Sequence, residues 1–151
     1  MDRVDVAMVI GGNISSSVYE ELSDLIESTN LAIEWDGDPF DRSKFSKNEP
    51  LYLYAHEVSF GSFDEIEEFC VESKIPFSRW NGSYPGAISP KRVVFNGDGK
   101  PVSYIATEDD DILIDRETAV KLGSVDAILA YFDASNTTIP PLVVEQDPTT
   151  K

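Results

Sequence analysis

Val4, Val6, Met8 and Ile10 recur at every second position, the period of a strand with one face buried, and predict β structure over 4–10. The spacing then lengthens to three and four at Val18, Leu22, Leu25 and Ile26, which predicts an amphipathic helix. Ser17-x-x-Glu20 reads as its capping box, in which Ser accepts from an orphan backbone N–H and Glu reaches back to the cap. A strand over Leu31–Trp35 follows. The same order returns further on. Leu51–His56 reads as a strand, Phe63, Ile66, Phe69 and Cys70 as the stripe of a helix opened by Ser62-x-x-Glu65, and Pro76–Trp80 as a strand.

These two stretches are related by a shift of 45 residues. It superposes Ser17 on Ser62, Glu20 on Glu65, Glu27 on Glu72, Ser28 on Ser73, Trp35 on Trp80 and Gly37 on Gly82. Units 4–37 and 49–82 are therefore two tandem β-α-β pieces, and the order βαββαβ predicts an α+β, ferredoxin-like antiparallel sheet with both helices on one face. On this reading Trp35 and Trp80 occupy equivalent strand ends.

After a Gly, Pro and Ser-rich loop from Asn81 to Pro90, Arg92–Phe95 and Pro101–Ala106 predict a hairpin across Asn96-Gly97-Asp98-Gly99. Ile112–Ile114 predicts a short strand. Asp115 caps a helix through Leu122, Gly123 stops it, and Ser124 starts another with Val125, Ile128, Leu129 and Phe132 on one face. The expectation is one domain over 1–135, with a hairpin and helix extension at 91–134 and an extended Thr and Pro-containing tail at 136–151.

Charge changes the picture most. The chain of 151 residues carries 28 Asp and Glu against 12 Lys and Arg, a net −16, although its 41% apolar and 11% aromatic content is enough for a real core. A small domain needs a net charge of only about 2–8 to stay dispersed. The excess is regional. Residues 1–39 hold nine acids against Arg3, residues 49–73 hold seven acids and no base, and residues 74–100 reverse the balance with Lys74, Arg79, Lys91, Arg92 and Lys100 against Asp98.

Helix geometry turns the acids into a candidate surface. Glu20, Glu21, Asp24 and Glu27 fall away from the first apolar stripe, and Asp64, Glu65, Glu67, Glu68 and Glu72 away from the second. At a rise of ~1.5 Å per residue the latter five span ~12 Å, a linear density approaching the one charge per ~1.7 Å of duplex DNA. Side by side, the rows form a phosphate-like ridge. Like charges at i, i+4, such as Glu20 with Asp24 and Asp64 with Glu68, oppose helix stability, so a requirement other than folding is implied. The basic residues of 74–100 are expected on a face distinct from this ridge.

The remaining candidates are weaker. Gly11-Gly12-Asn13 resembles a phosphate-binding turn but lacks the G-x-G-x-x-G spacing and opens onto an acidic helix; it reads as a tight turn. Asp36, Asp38 and Asp41, and likewise Glu108–Asp111, lack the glycine and terminal Glu of a calcium loop. His56 has no nucleophile or second ligand in view, and Cys70 lies on an apolar stripe as a core residue. Tyr52 and Tyr54 alternate as stacking aromatics do in RNA-recognition motifs, without the basic pattern those need.

These features predict a non-enzymatic, cofactor-free acidic inhibitor. Its partner is a basic protein, a nuclease or other nucleic-acid-binding protein, met as a nucleic-acid mimic of the anti-restriction or anti-CRISPR type made by phages and mobile elements. Two alternatives stand beside it: an immunity protein against a basic toxin, and a small-molecule sensor or enzyme domain using the 36–41 loop. Direct nucleic-acid or membrane binding is not expected of so acidic a chain, which lacks a ~20-residue apolar span. Met1–Asp5 has none of the features of a secretion signal, so the expected location is cytoplasmic.

Overall fold

The alternation of β1 (Arg3–Ile10) buries Val4, Val6, Met8 and Ile10 and makes this strand the floor of the core. A computed structural model describes residues 3–45, 49–59 and 62–146. After β1 come β2 (Gly12–Ser15), α1 (Ser16–Thr29), β3 (Leu51–Ser59), α2 (Asp64–Glu72), β4 (Phe77–Asn81), β5 (Lys91–Phe95), β6 (Val102–Ala106), β7 (Ile112–Leu113), α3 (Arg116–Leu122), α4 (Val125–Ser135) and β8 (Leu142–Glu145). The fold is α+β. Six strands form an antiparallel sheet in the order β3-β1-β4-β5-β6-β7, while β2 and β8 pair in parallel apart from it.

Helices α1 and α2 pack on one face of this sheet. Leu22 and Ile26 of α1 and Ile66 and Cys70 of α2 join Met8, Leu53, Phe77 and Phe95 in a single cluster, and α1 lies against α2. Alternation sends the next residues of β5 the other way. Val93 enters that cluster, whereas the Arg92 guanidinium reaches the Ser135 carbonyl at the end of α4, on the opposite face. Tyr131 of α4 packs edge-on to Tyr104 of β6, with ring centroids 5.0 Å apart.

Several local expectations hold to the residue. Asp115 Oδ1 accepts from the Thr118 N–H, Gly123 ends α3 with φ 81°, and Ser124 Oγ accepts from the Ala127 N–H. Asn96–Gly99 closes the β5–β6 hairpin, with both glycines at positive φ.

Other expectations are corrected. Residues 31–35 do not form a strand: Ala32 makes single bridges to Tyr54 and Pro39, and the chain turns at once, Gly37 donating to the Glu34 carbonyl with Asp36 at φ 55°. The Asp36-Gly37-Asp38-Pro39 turn chemistry overrides the apolar Leu31-Ala32-Ile33 signal. Trp35 is consequently exposed in a turn while Trp80 lies within β4, so the two are not equivalent and the two units differ in secondary-structure order.

The capping boxes also shift. The N-cap of α1 is Ser15, whose Oγ accepts from the Val18 N–H at 3.3 Å, because the β2 ladder holds Ser15 extended one residue before the helix. In α2 the carboxylate that reaches back is Glu67, accepting from the Phe63 N–H at 2.7 Å, in place of Glu65. Beyond Asn136 the chain returns to the core instead of trailing away. Ile139 and Leu142 are buried and β8 runs beside β2; only residues 147–151 of the expected tail lie outside the described residues.

Candidate functional site

The carboxylates of α1 point outward as their helical spacing requires, but they do not stand alone. The segment after the 34–39 turn folds back over the helix, Phe40 buried and the Tyr19 hydroxyl donating to the Arg42 carbonyl at 2.9 Å. Asp41 caps a 3-10 turn over Arg42–Lys44 by accepting from the Ser43 N–H. This anchors the Arg42 backbone, and its guanidinium spreads along the helix. Nη1 meets Glu20 at 2.6 Å, Nη2 meets Asp24 at 2.6 Å, and Nε and Nη2 hold both oxygens of Glu27 at 2.9 Å. The hydrogen bonds from Arg42 hold the Glu27 carboxyl below its ordinary range. The four acids of α1 and Arg42 therefore sum to −3.

The row on α2 loses a member differently. Asp64, Glu65, Glu68 and Glu72 face solvent, but Glu67 turns inward, its side chain only 14% exposed, and pairs with Arg79 Nε of β4 at 3.0 Å. Arg79 is itself buried and donates from Nη1 to Asn81 Oδ1 at 2.8 Å. The outward placement expected of Glu67 is thus corrected, and the local pattern holds a signal for both residues. Glu67 lies four residues after Phe63 and three before Cys70, on the apolar stripe, and Arg79 alternates with Phe77 and Asn81 on the buried face of its strand. A charge at a core position needs a charged partner.

Of the nine expected site residues, Glu20, Glu21, Asp24, Glu27, Asp64, Glu65, Glu68 and Glu72 thus lie on the outward sides of two adjacent helices, and Glu67 does not. Nine carboxylates less Arg42 and Arg79 leave −7. A base from outside the 74–100 stretch enters the ridge: Arg42 is interleaved with Glu20, Asp24 and Glu27. Within the basic stretch Arg79 is buried, and Arg92 donates to Asp110 Oδ1 and to Asn136 Oδ1, tying the 107–111 turn to the end of α4. Beside Glu27 a cleft of about 860 Å³ opens, with Glu34, Asp38, Asp41 and Glu49 outnumbering Lys44 and with Phe45 and Tyr52 among its walls.

His56 has two carboxylate neighbours. A β-bulge sets His56 and Glu57 opposite Asp5 of β1, with Glu57 at φ 57°. The His56 Nδ1 lies 2.8 Å from Asp5 Oδ1, Nε2 lies 3.0 Å from Asp36 Oδ1, and the Trp35 ring packs over the imidazole at 5.0 Å. The hydrogen bond to Asp5, aided by the charge of Asp36, raises the histidine above its ordinary 6.5. A raised folded value means that this contribution to stability is complete below about pH 6.5 and is lost as pH rises through the folded value. We expect the His56 ring signals, unambiguous because the chain has one histidine, to titrate above 6.5 and to return toward it in Asp5→Asn; titration at or below 6.5 in the parent refutes the bridge.

The other candidates resolve into structural roles. Cys70 is fully buried, and burial pushes its thiol up to about 12, so it is no nucleophile. Gly11 and Gly12 form the corner into β2, and an added Cβ on Gly11 would stand 1.7 Å from the Pro140 carbonyl oxygen. Asp36, Asp41, Glu108 and Asp110 each serve a separate local partner, and among the described residues no group of three or more His, Cys, Asp or Glu is placed to hold a metal ion. No helix among them is long and apolar enough to cross a membrane. Comparison with protein-family models, with curated proteins and with solved structures finds no match to this chain.

Proposed function

We propose that this chain is a non-enzymatic acidic inhibitor that works in the cytoplasm by occupying the phosphate-binding groove of a basic nucleic-acid-binding protein, as mimics made by phages and mobile elements do. The observation that carries this reading is the pair of adjacent helices whose solvent sides hold eight carboxylates, three of them paired with Arg42. The acidic cleft beside Glu27 extends the same surface and suits a lysine or arginine side chain of the partner. The scaffold we infer for it is ferredoxin-like with a degenerate edge: the order β4-β1-β3, continued by the single bridge from Ala32 to Tyr54, supports this.

A ridge that works through its field acts mainly on association rate and is screened by salt. The variant Asp64→Asn/Glu68→Gln/Glu72→Gln is expected to slow association about tenfold at low salt, with no difference near 1 M salt and with stability unchanged or raised, since like charges at i, i+4 are relieved. Arg42→Gln is expected to act oppositely, faster association because three carboxylates lose their counter-ion. Binding that is indifferent to salt and to competing duplex DNA would overturn mimicry.

A further inference from the structure

We propose that α3 and α4 form the contact surface of a homodimer, in which a second copy of this chain lays its α3 across this chain's α4 about a two-fold axis. Eight of the eleven residues of α4 are apolar, yet Ser135 is its one buried residue. So wide an apolar face ordinarily packs against a partner surface. Tyr131 and the Ser135 carbonyl fasten one side of α4 to the sheet, leaving Val125 and Leu129, one turn apart, at 70% and 55% exposure, with Val120 of α3 at 63%.

The occupant follows from length and charge. An eleven-residue helix is ~16 Å long against a hydrocarbon core of ~30 Å, and Asp126 and Asp133 oppose adsorption to anionic lipid. A two-fold contact instead requires a surface complementary to itself. With its Asp115 cap, α3 balances Arg116 and Lys121 against two acids, whereas α4 carries Asp126 and Asp133 and no base, so crossing α3 on the partner copy's α4 brings bases to unpaired acids over the valine and leucine stripe. The contact also lies on the sheet face away from α1 and α2, which keeps the two carboxylate ridges apart. Two short helices offer a footprint at the low end of specific interfaces, so the dissociation constant is expected in the micromolar range.

Sedimentation of the full chain over about 1–300 µM tests this, the range bracketing that constant. The expected result is reversible dimerisation, weakened about tenfold or more by Val125→Asp or Leu129→Asp, since each exposed side chain enters the contact twice. Both variants should keep the parent's circular dichroism and melting temperature. Lys121→Glu should weaken the dimer and Asp126→Lys added to it should restore it. A monomer throughout the range, a dimer indifferent to these variants, or α4-dependent binding to neutral phosphatidylcholine vesicles would each overturn the proposal.

Discussion

Arg79→Ala is expected to cost the fold about 3–5 kcal/mol, the loss typical of breaking a buried ion pair from one side. Arg79 faces α2 from the middle of the sheet, its Cα paired with Met8 on β1 and Val93 on β5, so no movement short of disrupting three strands carries the Arg79 backbone away from Glu67. Without the guanidinium, Glu67 retains the Phe63 N–H and must be protonated or turn outward, opening the packing around Ile66 and Cys70. Glu67→Gln should be milder, because the amide oxygen still accepts from Phe63 and Arg79 keeps Asn81. Arg79→Met combined with Glu67→Met should recover all but about 2–3 kcal/mol, the worth of the lost cap and of the Asn81 amide oxygen left without its donor. Urea unfolding measures all three, and a cost below about 1 kcal/mol for Arg79→Ala would refute a structural role for the pair.

Gly11→Ala should be nearly as severe, about 3 kcal/mol or more. Its Cβ meets the Pro140 carbonyl oxygen at 1.7 Å and the Ile139 side chain at 2.8 Å, so either β1 or the 139–142 backbone has to move. Between a central strand and a peripheral one, the peripheral one yields. The β2–β8 ladder then opens and Ile139 and Leu142 lose their burial. Limited proteolysis should cut the variant within 137–146 while α1, α2 and the main sheet stay protected; a parent-like digestion pattern and melting temperature would refute this.

What the sequence made legible was whatever a short window contains. The alternation in β1, the Asp115, Gly123 and Ser124 punctuation of α3 and α4, the Asn96–Gly99 hairpin and the buried Cys70 each depend on neighbours a few residues away. The failures share the opposite property. Arg42 neutralises carboxylates 15 to 22 residues earlier, and nothing in its own surroundings announces that the chain folds back over α1. The strand expected over 31–35 failed because the turn at 36–39 drew Pro39 and Phe40 back onto Ala32 and Leu31. Glu67 reads in the sequence as outward-facing with its neighbours and Arg79 as a surface base; each stands at an apolar position of its helix or strand, but the pair forms only between helix and sheet. Eight of the nine carboxylates face outward because placement on a helix is a local property, whereas their counter-ion is not.

The parallel ladder between β2 and β8 has a consequence for biosynthesis. Gly12 pairs with Leu142, 130 residues later in the chain, and translation at ~5–20 residues per second separates their emergence by roughly ten seconds. Throughout that interval the slot that Leu142 fills stands open to water and to other nascent chains, and by its end every other described strand and helix has left the ribosome. The nascent chain thus passes its period of greatest aggregation risk with its sheet assembled, and the final strand closes it.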